Sequence, residues 1–77
     1  MIPVNEHSYL ILIEHGDGNY GAWAPDLPGC VAVGDTAEEC EREMREAIAF
    51  HLRGLSLEGQ PIPRPLTFAS EVSVEVA

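Results

Sequence analysis

An α+β fold is expected for this 77-residue chain: a three-stranded antiparallel sheet, one amphipathic helix packed on it, and a short fourth strand, in the order β-β-β-α-β. Three observations predict it. Two stretches rich in β-branched and aromatic residues flank an Asp/Gly-rich turn. A capping box precedes a run with apolar residues at three- and four-residue spacing. The final residues alternate strictly between valine and polar side chains.

Ser8 to His15 reads S-Y-L-I-L-I-E-H and fits a strand, with Tyr9, Ile11 and Ile13 on one face and Leu10 and Leu12 on the other. Both faces are apolar, so this strand is expected to be covered on both sides. Gly16-Asp17-Gly18-Asn19 supplies residues that tolerate positive φ, and it reads as a hairpin turn into a second strand from Tyr20 to Ala24. Pro25-Asp26-Leu27-Pro28-Gly29 interrupts that strand, because prolines lack the N–H groups of an interior ladder. Cys30 to Val33 resumes as a short third strand.

Thr36 stands at a helix N-cap with Glu39 three residues on, and Glu38, Glu39 and Glu41 suit the positive end of the helix dipole. Ala37, Cys40, Met44, Ala47, Ile48, His51, Leu52 and Leu55 then form one stripe facing the sheet. Glu38–Arg42 and Glu41–Arg45 are i,i+4 pairs with the acid first, the favourable order. Gly59 and Pro61 bound the helix. The prolines at 61, 63 and 65 favour an extended, stiff segment that carries the chain back across the fold. Glu71 to Val76 is the fourth strand, short and charged as an edge strand should be.

A chain of this length holds one domain spanning residues 1–77 and has thin stability, which small domains supplement with disulfides, metal or a partner. The three histidines and two cysteines lack ligand spacing, so no metal and no cofactor is expected. The N-terminal residues show neither a basic region nor an apolar one of export-signal type, and no apolar run approaches a membrane span. A cytoplasmic protein with reduced, unpaired Cys30 and Cys40 is the expectation. Self-association is the remaining source of stability, and a dimer or tetramer is expected. Thirteen Asp and Glu against four Arg, with no Lys, give a net charge of −9. Such acidity disfavours direct nucleic-acid binding. It either keeps a small protein soluble or faces a basic partner.

Several segments together resemble the HicB antitoxin family: the strand Tyr9–Glu14 before its turn, Tyr20-Gly21-Ala22 leading into Pro25-Asp26-Leu27-Pro28-Gly29-Cys30, Gly34-Asp35-Thr36 with Glu38-Glu39, Arg45-Glu46-Ala47-Ile48, and Gly59 ahead of Ile62-Pro63-Arg64-Pro65. The resemblance runs over about residues 9 to 65. It implies a partial RNase H-like fold and a place in type II toxin–antitoxin modules, where the antitoxin masks a small basic toxin that cleaves mRNA. Family members that repress their own operons carry a C-terminal helix-turn-helix or ribbon-helix-helix segment. These 77 residues contain no such segment and no basic helix, so operator binding is not expected of this polypeptide alone.

The proline loop has a plain structural reading: the prolines fix φ, Asp26 accepts backbone hydrogen bonds and Gly29 permits a turn. The competing reading makes Asp26, Leu27 and Pro28 partner contacts, since loops on a rigid sheet gather binding residues. Gly34, Asp35, Thr36 and Glu39, with Gly29, are read as architectural. Trp23, between small Ala22 and Ala24, is read first as a core residue and second as a partner contact. Phe50 lies off the helix stripe, so it is either covered by another segment or left for a partner. His51, on the stripe among Ala47, Ile48 and Leu55, is a boundary histidine and not a general base.

RNase H-type nucleases converge carboxylates from central strands on two metal ions. Here Glu14, Asp17, Asp26 and Asp35 are scattered over a strand end and turns, so no catalytic residue is assigned. The expected function is therefore protein binding by an antitoxin, with Trp23, Asp26, Leu27, Pro28 and Phe50 toward the toxin. Tyr9, Leu10, Ile11, Leu12 and Ile13 are expected at an oligomer interface. The alternative is a stand-alone homo-oligomeric structural or regulatory protein without a toxin partner.

Overall fold

Strand β1 (Leu12–His15), β2 (Tyr20–Trp23), β3 (Val31–Gly34) and helix α1 (Ala37–Leu57) follow one another along the chain in the computed structural model, which describes residues 7–77. Most of the N-terminal stretch read for an export signal lies outside the described residues. The sheet order is β1-β2-β3, antiparallel throughout.

The register explains why β1 starts at Leu12 and not at Ser8. Leu12 pairs with Trp23, the last residue of β2. A longer β1 would need partners at residues 24 onward, where Pro25 and two consecutive turns take the backbone away. In the first turn the Leu27 N–H donates to the Ala24 carbonyl at 3.0 Å, and in the second the Cys30 N–H donates to the Leu27 carbonyl at 3.1 Å. Each turn has a proline at its second position, Pro25 and then Pro28, where the ring already holds the required φ. Gly29 follows Pro28 with φ 85°, the left-handed value a Pro-Gly type II turn needs. Leu27 belongs to both turns and is turned fully inward.

Opposite residues of an antiparallel pair share a face, so the register also sorts the sheet into two sides. Ile13, Ala22 and Ala32 form one row toward the helix; Leu12, Trp23 and Val31 form another on the far side. The core lies between sheet and helix. Its enclosed residues are Ala22, Ala24, Leu27, Cys30, Cys40 and Met44, with Tyr9, Ile11, Ile13, Tyr20, Ala47, Ile48 and Leu52 packed around them. Small Ala22 and Ala32 let the helix settle close to the sheet. At Gly34 the approach is closest: a Cβ there would stand 2.6 Å from the Cys40 nitrogen and 2.9 Å from its Cα, both backbone atoms. Only glycine permits β3 to run into the first helical turn at that distance.

The helix begins as the capping pattern requires. Thr36 has extended backbone, and its hydroxyl accepts the Glu39 N–H at 3.0 Å. Of the two acid–base pairs, Glu41–Arg45 closes at 3.4 Å on the exposed surface, where it contributes at most a few tenths of a kcal/mol. No ion pair joins Glu38 and Arg42 among the described residues. At the far end the Gly59 and Gln60 N–H groups turn back to the carbonyls of Ser56 and Leu55. The helix is not long and apolar enough to cross a membrane.

The fourth strand expected at Glu71–Val76 is not formed within the chain. Among the described residues the sheet has three strands, and residues 60–77 carry neither helix nor strand. Alternation sets which side chains share a face but supplies no backbone partner. The connecting segment does run back past the start of β1, where the Tyr9 hydroxyl donates to the Pro63 carbonyl. Burial, and then the negative charge of Asp26, raise the pKa of that hydroxyl.

Candidate protein-binding surface

The helix covers one side of the sheet, and among the described residues the other side carries exposed apolar side chains. Leu12, Trp23 and Val31, one from each strand, stand in register across that outer side, and Val33 extends it along β3. Gly21 sits between Glu14 and Val33 in the neighbouring row and forms a dip beside the indole. Trp23 is 37% exposed, so it is not the core residue expected first. Strand alternation accounts for the reversal. Ala22 and Ala24 are each 3% exposed beneath the helix, and the residue between them has to face outward. The small neighbours that made Trp23 look like a core residue are themselves the core.

The other expected contacts divide. Leu27 is 0% exposed and so offers no surface to a partner; its place is the interior. Pro28 is exposed beside it. Phe50 is 75% exposed on the helix, uncovered by any described segment. It forms the lip of a groove between α1 and β3 that is also lined by Cys30, Val31, Ala47 and Leu55. Tyr9, Ile11 and Ile13 pack toward the helix within the chain, so of the five residues expected at an oligomer interface only Leu10 and Leu12 belong to the outward set.

Asp26 is engaged within the chain. Its carboxylate accepts the Leu66 N–H at 3.0 Å, the Thr67 N–H at 2.9 Å and the Thr67 hydroxyl at 2.7 Å. These bonds favour the charged form. The Thr67 hydroxyl is the largest cause, and together the bonds hold the Asp26 pKa below its ordinary value. The loop carboxylate thus ties down the segment that follows the helix, a role its sequence position alone does not specify across forty residues.

The remaining polar groups do not converge. Glu14 lies on the outer face of β1, Asp17 in the hairpin and Asp35 before the helix cap. No group of three or more His, Cys, Asp or Glu side chains that could hold a metal ion occurs among the described residues. His15 stacks on Tyr20, its direct cross-strand partner, with ring centroids 4.5 Å apart. Cys30 and Cys40 are free and buried, and burial raises the Cys30 pKa, which makes it a poor nucleophile. What the surface offers is a flat apolar row on an acidic molecule, suited to gripping another chain.

Comparison with known proteins agrees with that geometry. Residues 9–75 match the family model described as a HicB-like antitoxin of bacterial toxin–antitoxin systems. The UPF0150 protein ssr1765 of Synechocystis is 36% identical over 75 residues, which cover 96% of this chain and 95% of that protein. A 14.9 kDa protein from the rep-hol intergenic region of Haemophilus phage HP1 is 38% identical over 56 residues, covering 73% of this chain and 42% of the longer phage protein. Among solved structures, a chain of the HicA3 and HicB3 toxin–antitoxin complex superposes with a TM-score of 0.66 at 32% identity, over 78% of this chain and 70% of that one.

Proposed function

The chain belongs to the HicB-like antitoxin family, and on that premise we propose that it binds and masks a small, basic, mRNA-cleaving toxin of the HicA type. The family match and the structural match both support an antitoxin role. The observation that carries the proposal furthest is the exposed apolar side of the sheet, with Leu12, Trp23 and Val31 in one row on a chain of net charge −9.

In this reading the two features divide the labour. Long-range attraction between an acidic antitoxin and a basic toxin speeds and orients the encounter, an effect that weakens with salt. Apolar contact at the outer row then holds the complex. Trp23, flanked on both sides across the sheet, is its anchor, because large aromatics in the middle of an interface carry a disproportionate share of binding energy. A toxin seated there has its RNA-facing surface covered, and masking requires no catalytic group in the antitoxin. The chain also self-associates in this reading.

Co-expression tests the proposal. The chain should co-purify with a small basic protein encoded beside it and should relieve the growth arrest that this protein causes. Failure to bind or rescue with any adjacent gene product rejects the toxin-masking function. An oligomer that formed in the meantime without any such partner would favour the stand-alone alternative.

A further inference from the structure

Glu71 to Val76 has the pattern of a strand but pairs with no strand among the described residues. Val72, Val74 and Val76 share one side, and Glu71, Ser73 and Glu75 the other. Every large apolar side chain from Leu66 onward is at least 70% exposed. The base of this arm is nonetheless fixed, by the three hydrogen bonds from Leu66 and Thr67 to Asp26 and by the Tyr9–Pro63 bond. Beyond this clasp the arm joins no strand of the described sheet, and its valines stay exposed.

The same chain contains a receptor of matching shape. β3 pairs only with β2, so its other edge has unpaired backbone groups among the described residues. Beside that edge runs the apolar groove whose floor and walls include Cys30, Val31, Ala47, Phe50, Gly54 and Leu55. Gly54 leaves its part of the groove open, since a Cβ there would meet nothing within 4 Å. Six extended residues span about 20 Å, more than the roughly 13 Å of a four-residue strand. The arm can therefore cover the whole β3 edge.

We propose that the arm of one copy adds as a strand to the β3 edge of a second copy, with Val72, Val74 and Val76 in the groove beneath Phe50, and that the second copy returns the contact. The inference rests on the reading that the chain self-associates and specifies how. Two observations favour a second copy over a different protein. Arm and groove occur on one polypeptide and satisfy each other's needs, a strand edge and an apolar cover, so a two-fold exchange uses both twice. Val72, Val74 and Val76 are also each at least 78% exposed and so free to be buried, and their segment is long enough to cover the full β3 edge.

The test compares the intact protein with Val74→Asp in the arm and Phe50→Glu at the groove, by native mass spectrometry and light scattering at micromolar concentration. Both side chains are exposed, so circular dichroism should show each variant folded as the parent. The parent should be a dimer or an even-numbered assembly, and each variant alone should lose that association. Mixing the two variants should restore a heterodimer, because the Phe50→Glu protein keeps an intact arm and the Val74→Asp protein an intact groove. A monomeric parent defeats self-association itself. An oligomeric parent with oligomeric variants, or with variants that stay monomeric when mixed, defeats arm exchange alone. Loss of toxin capture in Val74→Asp with its oligomer intact would assign the arm to the toxin and overturn the proposal.

Discussion

Leu27→Ala is expected to destabilise the domain severely while leaving every exposed contact in place. Leu27 is the largest fully enclosed aliphatic side chain described, held inward because two proline turns share its backbone. Removing three carbons forfeits about 2.4 kcal/mol of transfer free energy at ~0.8 kcal/mol each. The cavity left by incomplete relaxation brings the cost to about 3 kcal/mol. A domain of this length has roughly 4–12 kcal/mol in total, so the loss is a large fraction of its stability. With a urea m-value of about 1 kcal/mol/M, the unfolding midpoint should fall by about 2–3 M. The assay is equilibrium urea denaturation followed by circular dichroism, at matched protein concentration so that any association contributes equally to both proteins. A midpoint shift below about 0.5 M would refute the assignment of Leu27 to the core and return it to the surface role that its loop position had invited.

Two further outcomes follow from hydrogen bonds. Thr36→Ala should cost about 1 kcal/mol by stranding the Glu39 N–H, and Thr36→Ser should restore most of it; equal stability of the two variants by thermal unfolding would contradict the cap. The Asp26 clasp should depend on acid. Its folded-state pKa is lowered, so the tie is fully present above the ordinary carboxylate range and is lost as pH falls through the depressed value. The amide resonances of Leu66 and Thr67 should therefore titrate together with a midpoint below that of a free aspartate, and Asp26→Asn should abolish the titration. A midpoint at the ordinary value, or resonances that do not move, would contradict it.

Local signals in this chain identify local structure well. Thr36 with Glu39 marks the helix start, the paired prolines mark the turns, and helical spacing picks out Cys40 and Met44 as the face that meets the sheet. Four features escape because they depend on what lies opposite. The first strand begins at Leu12 because its partner ends at Trp23, and no property of Ser8 to Ile11 records that. Trp23 faces outward because Ala22 and Ala24 occupy the narrow space under the helix; period-two alternation ties the three together but does not choose the side. Glu71 to Val76 has the chemistry of a strand, yet it pairs with no strand among the described residues. The Asp26 contacts to Leu66 and Thr67 are likewise invisible across forty residues. The proline segment's extended run was the one readable hint of them.

Titration of the purified chain against the small basic protein encoded beside it, with Trp23→Ala alongside, reaches the toxin-masking proposal most directly. Trp23 is partly exposed and outside the enclosed core, so the variant should fold as the parent does. The parent should form a tight complex that weakens as salt rises, and the variant should lose at least about thirtyfold in affinity, as expected for an aromatic anchor. Equal affinity for parent and variant, or no complex with the parent at low salt, would contradict a masking surface on the outer face of the sheet.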